Sequence, residues 1–391
     1  MQAAPNKISS SSVQVNEPLS DAEVDEIRAN PQWLDLTVKL GRDAGDEAFA
    51  SLGKISQVRF VEITNGNANI TSFDPVKSLP RLVKFSVSRP KLNDGQPWSL
   101  RPFAHCKGLI HLNLNRTLVS DVDSLGACTK LRALYLTDSG VTSLRCLSSM
   151  PALRELSFGD SKISIDSYEP VGSLGQLRQL SIHCPSTVDE ASLSSLARLT
   201  QLRQFGCSIT SIRNLGFLAN CVAMERLDLP GNEQLENIDA IGNMEYLRSV
   251  YLSGAAVNDL SALSNKRYLD TLSVPETAVV DLTPLEHCTS LEKLDISETV
   301  VRDLAPLARK PYFVHLNMCD TSIDLETLPF LPQLEGVELR KSAISDVAPL
   351  AKQPSLKSLQ LQGSVDVDLS SVEMLSGLEH LRISKDTFEL A

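Results

Sequence analysis

Leu131-Arg132-Ala133-Leu134-Tyr135-Leu136 is one of fifteen copies of a short pattern that decides the fold of this chain. Each copy has an apolar residue, two others, an apolar residue, one other and an apolar residue. The last four residues alternate between inward and outward positions, which is the period of a half-buried strand and not of a helix. We therefore expect each copy to contribute one short strand.

The copies follow one another at a nearly constant interval. Their first residues lie 21 to 27 residues apart, most often 22. All three apolar slots of every copy hold Leu, Ile, Val, Met, Phe or Cys, although only 42% of the chain is hydrophobic. The copies begin at Val58, Leu82, Leu109, Leu131, Leu153, Leu177, Leu202, Met224, Leu247, Leu269, Leu291, Phe313, Leu334, Leu356 and Leu378.

The segments between the strands have a different period. Apolar residues recur there at a spacing of three, as at Leu282, Leu285 and Cys288, which suits one turn of α- or 3-10 helix. A strand joined by such a turn to the next parallel strand forms a right-handed coil. Stacked coils form a solenoid of the α/β class, in which neighbouring repeats bury each other's apolar side chains.

The segment Val279-Val280-Asp281-Leu282-Thr283-Pro284-Leu285, with residues 301–307 and 344–350, resembles the leucine-rich repeat family. It is similar to the 22-residue subclass found in internalins and in a regulatory subunit of protein phosphatase 1. The resemblance covers the chain from near Trp33 onward. It implies a curved solenoid with parallel strands on the concave face and short helical or 3-10 turns on the convex face. Where the family has a ladder asparagine, this chain has Thr117, Thr277, Thr299, Thr321, Ser342 and Ser364.

Three regions are expected along the chain. Residues 1–18 read as a disordered tail, residues 19–57 as an N-terminal cap made of a helix and the first strand, and residues 58–391 as a domain of about fifteen repeats. Ser20 suits the start of the cap helix because Glu23 follows three residues later. Trp33, Leu34, Leu36 and Val38 would complete the cap.

Charge and targeting signals limit the classes of partner. The net charge of −11 and a pI near 5.1 disfavour binding to nucleic acid or to an anionic membrane, which depends on clustered Lys and Arg. We find no basic run, no secretory signal and no stretch long enough to span a membrane. A cytoplasmic monomer is the expectation.

The eight cysteines fit a core better than a metal site. Cys106, Cys128, Cys221 and Cys288 each lie three residues before a copy begins, where other copies have Met or Leu, and Cys207 fills a strand slot. Cys146, Cys184 and Cys319 have no such explanation. Because no zinc-type spacing appears, we expect free thiols in a reducing compartment and no metal.

Catalysis has no support in the sequence. Phosphate-binding, metalloprotease and serine hydrolase motifs are absent. Asp121, Asp259, Asp281, Asp303 and Asp346 recur at one phase before the helical turn, which is typical of cap or turn residues. We expect a protein that is not an enzyme and has no cofactor.

The outward strand positions are the candidate contact face. They carry five basic and five acidic residues, so this face is charge-balanced. Its histidines and tyrosines indicate an amphipathic contact surface, although a solvated sheet with polar side chains explains them too. Trp98 lies in the 27-residue copy, where a loop over residues 92–98 could present it to a partner or let it pack back. The candidate partner-binding residues are His111, Tyr135, His183, Tyr251, His315 and Trp98.

The sequence favours a non-catalytic scaffold that binds a partner protein on the concave strands. One alternative is a regulatory or adaptor subunit of an enzyme such as a phosphatase or a ubiquitin ligase. A second is an internalin-like surface or secreted adhesin. In that case the sequons at Asn69 and Asn115 could carry glycans.

Overall fold

A computed structural model gives the fold of the chain. It describes residues 6–8, 12–30, 35–63, 69–87, 96–119, 121–160, 163–183, 188–208, 210–344, 346–364, 367–383 and 387–389. The chain forms two compact units. Unit 1 comprises residues 1–186 and 192–201, and unit 2 comprises residues 187–191 and 202–391.

Each unit is built on short strands that pair with their neighbours in chain order. The strands of unit 1 are β1 Lys7–Ile8, β2 Ser12–Val15, β3 Leu36–Leu40, β4 Val58–Ile63, β5 Lys84–Val87, β6 His111–Asn113, β7 Ala133–Thr137, β8 Glu155–Gly159 and β9 Gln179–His183. Those of unit 2 are β10 Gln204–Ser208, β11 Arg226–Asp228, β12 Ser249–Tyr251, β13 Thr271–Ser273, β14 Lys293–Asp295, β15 His315–Asn317, β16 Gly336–Glu338, β17 Ser358–Gln360, β18 His380–Arg382 and β19 Thr387–Glu389.

The strand prediction is confirmed, because each of the fifteen copies carries one strand, from β4 to β18. Within each unit the pairing is parallel, with one exception at the outer strand. β1 is antiparallel to β2 in unit 1, and β19 is antiparallel to β18 in unit 2. The apolar slots of the copies form the core. All of them are buried except Ile383, which is half-buried.

The segments that return from one strand to the next are 3-10 turns, as the spacing of three predicts. They span Leu52–Lys54, Asp74–Ser78, Arg101–His105, Asp123–Ala127, Arg145–Ser149, Glu169–Ser173, Ser194–Arg198, Gly216–Leu218, Asp239–Asn243, Ser261–Leu263, Thr283–Leu285, Ala305–Leu307, Leu325–Thr327 and Ala348–Lys352. The α-helices are α1 Asp21–Ala29, α2 Asp46–Ser51 and α3 Leu369–Val372.

The recurrent aspartates are turn residues, as predicted. The Oδ1 atoms of Asp259, Asp281, Asp303 and Asp346 each accept a 2.8 Å hydrogen bond from the backbone N–H two residues later. The hydroxyls of Ser261 and Thr283 lower the pKa of Asp259 and Asp281, and the backbone bonds lower it further, because a hydrogen bond to the carboxylate favours its charged form. Asp121 differs, since it faces Arg101 at 3.8 Å.

The row three residues before each copy holds more than apolar side chains. Cys106, Cys128, Cys221 and Cys288 are buried there as predicted, but Lys266 and Lys310 are buried in the same row. The row supplies donors to the turn of the preceding repeat. Lys266 Nζ donates to Gly242 O at 2.7 Å, Lys310 Nζ to Leu285 O at 2.8 Å, and Cys288 Sγ to Leu263 O at 3.3 Å. Burial lowers the pKa of both lysines.

Hydroxyl side chains take over much of the ladder asparagine's role. Oγ1 of Thr277, Thr299 and Thr321 donates to the carbonyl three residues earlier at 2.6–2.7 Å. One asparagine, Asn232, makes more hydrogen bonds than these threonines do. Its Nδ2 donates to Cys207 O at 2.8 Å and Leu229 O at 2.9 Å, so it ties two repeats of unit 2 together.

The N-terminal region contains the predicted cap helix. Ser20 and Glu23 form a capping box at the start of α1, and the hydrogen bond from Ser20 lowers the pKa of Glu23. The sequence predicts a disordered tail through residue 18, but the structure forms β2 there, with Val13 and Val15 fully buried against β3. Leu36 and Val38 are buried in β3, while Trp33 and Leu34 lie outside the described residues.

Candidate functional site

The candidate contact surface is the sheet face, defined as the outward side chains of strands β4–β18 and of the residue that follows each strand. Parallel pairing in register places corresponding residues of successive copies side by side. In unit 1 one row reads His111, Ala133, Glu155 and Gln179, and the next reads Asn113, Tyr135, Ser157 and Ser181. Side chains of neighbouring copies therefore meet although they are about 22 residues apart in sequence.

An aromatic and acidic cluster lies in the middle of unit 1. The rings of His111 and Tyr135 are 5.3 Å apart between centroids, and the Tyr135 hydroxyl donates a hydrogen bond to Glu155 Oε2. Burial lowers the pKa of His111, and the cation of Lys84 lowers it further. Burial also raises the pKa of Tyr135, as does its bond to Glu155. At neutral pH the cluster therefore presents a neutral imidazole and a protonated phenol.

A chain of amide and hydroxyl groups runs beside this cluster. Asn113 Oδ1 accepts a hydrogen bond from Asn115 N at 3.1 Å, and Asn115 Oδ1 accepts one from Thr137 N at 2.8 Å. The hydroxyls of Thr137 and Ser157 are 2.6 Å apart. The side-chain NH2 groups of the two asparagines have no hydrogen-bond partner among the described residues, and both side chains are half-buried.

These groups line a shallow cavity of about 560 Å³ in unit 1. The exposed His183 also lines it, as do Arg116 and Asp138, whose Nε and Oδ2 atoms are 3.7 Å apart. Gly159 makes this packing possible. Its φ is 104°, and a Cβ there would lie 1.8 Å from His183 O, so a larger residue would push β8 away from β9.

The sheet face of unit 2 has two separate polar clusters. The first joins Arg226 to Tyr251, with the guanidinium carbon 4.3 Å from the ring centroid and Nη2 3.0 Å from Asp228 Oδ2. Arg226 was not among the predicted site residues. Comparing the outward positions of adjacent copies identifies it, because its strand β11 pairs with β12, which carries Tyr251.

The second cluster of unit 2 is centred on Glu338. His315 Nε2 lies 3.3 Å from Glu338 Oε1, and Arg340 Nη2 lies 3.1 Å from Glu338 Oε2. Gly336 leaves space for the imidazole, since a Cβ at this position would lie 2.8 Å from His315 Nδ1. A second shallow cavity of about 560 Å³ lies here, with His315, Lys293 and His380 in its lining.

The structure does not bring the six predicted residues into one site. His111, Tyr135 and His183 share the sheet face of unit 1, whereas Tyr251 and His315 are in different clusters of unit 2. Trp98 is not on an exposed loop. It is only 4% exposed and packs edge-on against Phe73, with a centroid distance of 4.7 Å, so it is a core residue here. Residues 88–95, which include most of the predicted 92–98 loop, lie outside the described residues.

The seven described cysteines are buried thiols without a disulfide bond. Burial raises the pKa of Cys106, Cys128, Cys146, Cys221, Cys288 and Cys319, which makes these thiols less reactive. Cys184 lies outside the described residues. In the part of the chain that the structure describes, no group of three His, Cys, Asp or Glu side chains is arranged to hold a metal ion. No described helix has the length and apolar character of a membrane span.

Solved structures with a similar fold include bacterial and plant proteins. An internalin of Listeria monocytogenes is 20% identical with a TM-score of 0.62, covering 87% of this chain and 88% of its own. A leucine-rich repeat protein of Leptospira interrogans is 12% identical with a TM-score of 0.65, over 93% and 98% of the two chains. The leucine-rich repeat ectodomain of the Arabidopsis thaliana membrane receptor kinase GASSHO1/SCHENGEN3, solved in complex with CASPARIAN STRIP INTEGRITY FACTOR 2, is 16% identical with a TM-score of 0.63, over 90% and 49%.

These likenesses establish the fold. The chain is a leucine-rich repeat solenoid, as the sequence predicts. No protein-family model matches the chain, and no curated protein sequence matches it.

Proposed function

We propose that the chain is a non-catalytic scaffold that binds a partner protein on the sheet face of unit 1. The observation that carries this proposal is the arrangement around Tyr135. An aromatic pair, a carboxylate and a set of amide donors lie together on one solvent-facing surface, held by parallel strands in fixed register. Such a surface combines large apolar contact area with hydrogen-bonding groups of both kinds.

The protonation states support contact with protein and not with a highly charged ligand. His111 is neutral at neutral pH, and Tyr135 keeps its proton. The neighbouring Asn113, Asn115, Thr137 and Ser157 are uncharged. A peptide backbone offers N–H and C=O groups that match free amides and hydroxyls, and tyrosine is a common anchor of protein interfaces.

A similar structure supports the same kind of role. The Arabidopsis thaliana receptor ectodomain was solved in complex with a factor that it binds, which shows that one protein of this fold holds a separate ligand. The enzyme-regulatory subunit and the internalin-like adhesin stay as alternatives. The cytoplasmic location and the monomeric state are likewise part of the proposal.

The test is capture of partners from cells that express the protein, after cross-linking and with quantitative mass spectrometry. His111→Ala and Tyr135→Ala each remove one ring of the aromatic pair. We expect each to lower capture of the principal partner at least tenfold, since truncation of a central tyrosine typically costs about 2 kcal/mol or more.

Tyr246→Ala is the matched control. Tyr246 is 55% exposed and lies outside the sheet face, in unit 2, so the same chemical change should leave capture unchanged. Thermal unfolding of all three variants checks that each is folded. Equal capture by the wild type, His111→Ala and Tyr135→Ala would show that this face is not the binding surface.

A further inference from the structure

Three arginines occupy equivalent positions in neighbouring repeats at the edge of the sheet of unit 1. Arg132, Arg154 and Arg178 each occupy the second residue of their copy, in three consecutive repeats. Arg154 N donates to Arg132 O at 2.8 Å, and Arg178 N donates to Arg154 O at 2.8 Å. Their backbones are therefore about 4.7–4.9 Å apart, the spacing of neighbouring strands. We call these three residues the arginine ladder.

The ladder has no partner within the described part of the chain. All three side chains are exposed, and none makes an ion pair or a side-chain hydrogen bond with a described residue. Glu155 follows Arg154 in sequence, but its carboxylate accepts the hydrogen bond from Tyr135 on the sheet face. Lys130, also exposed and without an ion pair among the described residues, adds a fourth positive charge beside Arg132.

The same row of unit 2 is arranged differently. There each basic residue of the row forms an ion pair with an acidic residue of a neighbouring repeat. Arg203 lies 2.7 Å from Glu225, Arg248 lies 4.0 Å from Asp270, and Lys357 lies 3.4 Å from Glu335. The fold therefore accommodates an acid at this position readily. The next arginine of the row, Arg203, has Glu225 as its partner, so three arginines in succession without an acidic partner are a feature of unit 1.

A stack of like charges is unfavourable for folding. Like charges directly opposite each other on neighbouring strands destabilise a sheet, and this chain has 48 acidic residues that could alternate with the arginines. Packing does not require arginine, since Val83 and Ile110 occupy the preceding places in the row. The ladder thus lowers the free energy of unfolding and adds no stabilising contact. Such a loss of stability is typical of residues in a binding surface.

We propose that the arginine ladder binds an acidic segment of a partner protein, with carboxylates of consecutive Asp or Glu residues facing the guanidinium groups. The planar guanidinium donates two parallel hydrogen bonds to a carboxylate, which a lysine does not. Stacked arginines fit a run of carboxylates on one extended peptide. The surface lies beside the sheet face and does not depend on the function proposed for it.

The small size of the ladder decides between acidic protein and nucleic acid. The net charge of −11 repels both ligands, so binding depends on local contacts, and the affinity for a nucleic acid rises with the number of phosphates neutralised. The ladder and Lys130 together offer four cations, enough for a short acidic peptide. The phosphate backbone of a nucleic acid and an anionic membrane both require a broader basic surface.

Binding is measured by fluorescence anisotropy, with the full chain and a labelled peptide of eight glutamates. The ladder variant combines Arg132→Gln, Arg154→Gln and Arg178→Gln. The matched control combines Arg203→Gln, Arg248→Gln and Lys357→Gln, which removes the same three charges from the same row in unit 2. We expect the ladder variant to bind at least thirtyfold more weakly than the wild type, and the control to stay within threefold.

Three results would overturn the proposal. They are no binding of the peptide by the wild type, equal weakening by the ladder variant and the control, and tighter binding of a 12-nucleotide single strand or of phosphatidylserine vesicles than of the peptide. His111→Ala and Tyr135→Ala should leave peptide binding intact, so the outcome is separate from that of the sheet-face test.

A single variant supplies a second readout. Arg154→Glu places an acid between Arg132 and Arg178, as Glu225 lies between Arg203 and Arg248 in unit 2. We expect its unfolding temperature to rise while peptide binding falls at least tenfold. A variant that is more stable and still binds the peptide as the wild type does would contradict the proposal.

Discussion

Lys310 shows how much a single side chain can differ from what its residue type suggests. It is 1% exposed, in a row where other copies bury Cys, Met or Leu. Its ammonium group donates to Leu285 O at 2.8 Å and Glu286 O at 3.3 Å, which are carbonyls at the end of the preceding turn. No carboxylate is within ion-pair distance among the described residues. Burial therefore lowers the pKa of Lys310.

This lowered pKa makes stability depend on pH on the alkaline side. The unfolded chain holds the Lys310 proton up to a pH of about 10.4, whereas the folded chain releases it at a lower pH. Between the two pKa values the unfolded state binds more protons, so the free energy of unfolding rises with pH. We expect the free energy of unfolding of the wild type, relative to Lys310→Met, to increase between pH 7 and pH 10 in urea titrations.

Lys352→Met is the control for that measurement. Lys352 is exposed, so its replacement removes the charge of a lysine without removing a buried group. A wild-type curve parallel to that of Lys310→Met over the whole range would show that Lys310 has the same pKa in both states.

Core residues were the easiest to predict at this scale, and the buried lysines were not. Slot position alone identified the buried Leu, Val and Cys side chains, because a solenoid repeats one environment in every copy. Lysine is usually a surface residue, so only the positions of Lys266 and Lys310 within their repeats could have indicated that they are buried. The contact between Arg226 and Tyr251 depends on rotamers, which the spacing does not contain.

Among the elements, the 3-10 turns depend on a side-chain cap. Each turn is only three to five residues long, so few backbone bonds hold it. In five of the described 3-10 turns an aspartate accepts a bond from the backbone of the turn, as Asp281 does from Thr283 N at 2.8 Å. The hydroxyl of Thr283 also lowers the pKa of this carboxylate.

Asp281→Ala should lower the free energy of unfolding by about 0.5–2 kcal/mol at pH 7, the usual effect of removing a cap. The contribution is present above the unfolded pKa of about 3.9, and it is lost as pH falls through the lower folded-state pKa. The difference between wild type and variant should therefore shrink below pH 4 in denaturant titrations. Glu233→Ala, at an exposed turn without a side-chain partner among the described residues, should show no such difference.

Element boundaries followed the sequence closely except at the N-terminus. Alternation predicted the strands of all fifteen copies, because the pattern recurs with one side buried. β2 was missed, although Val13 and Val15 alternate with polar residues, because four residues after a run of serines are too few to distinguish from a polar tail. Its burial comes from pairing with β3, which is a tertiary contact.

Across the whole molecule, repeats touch mainly their neighbours, so damage should stay local. Leu134 in unit 1 and Leu294 in unit 2 fill equivalent core slots and are at most 1% exposed. Truncation of either to Ala should cost about 2–5 kcal/mol. We expect Leu134→Ala to speed amide hydrogen exchange in unit 1 only, and Leu294→Ala in unit 2 only. Faster exchange throughout the chain for either variant would indicate a single cooperative unit.

The candidate sites show what a repeat period can and cannot predict. The positions of His111, Tyr135 and His183 within their repeats predict that all three point outward from the sheet. The structure places them in the same unit. The arginine ladder could also have been predicted from the position of its residues within their repeats. A search for consecutive basic residues does not find it, because its members are 22 and 24 residues apart in sequence. Trp98 was misplaced because an insertion does not reveal which of its residues return to the core.

The antiparallel strands β1 and β19 have a consequence for assembly. A solenoid of parallel strands could in principle continue from one molecule into the next, since its last strand offers the same unpaired backbone groups that each internal strand has used. In both units the outermost strand runs in the opposite direction. Antiparallel and parallel ladders space their hydrogen bonds differently, so a second copy meets an edge that its own strands do not match. β1 and β19 thereby give the described sheet edges whose hydrogen-bond spacing differs from that of the parallel ladders in the two units.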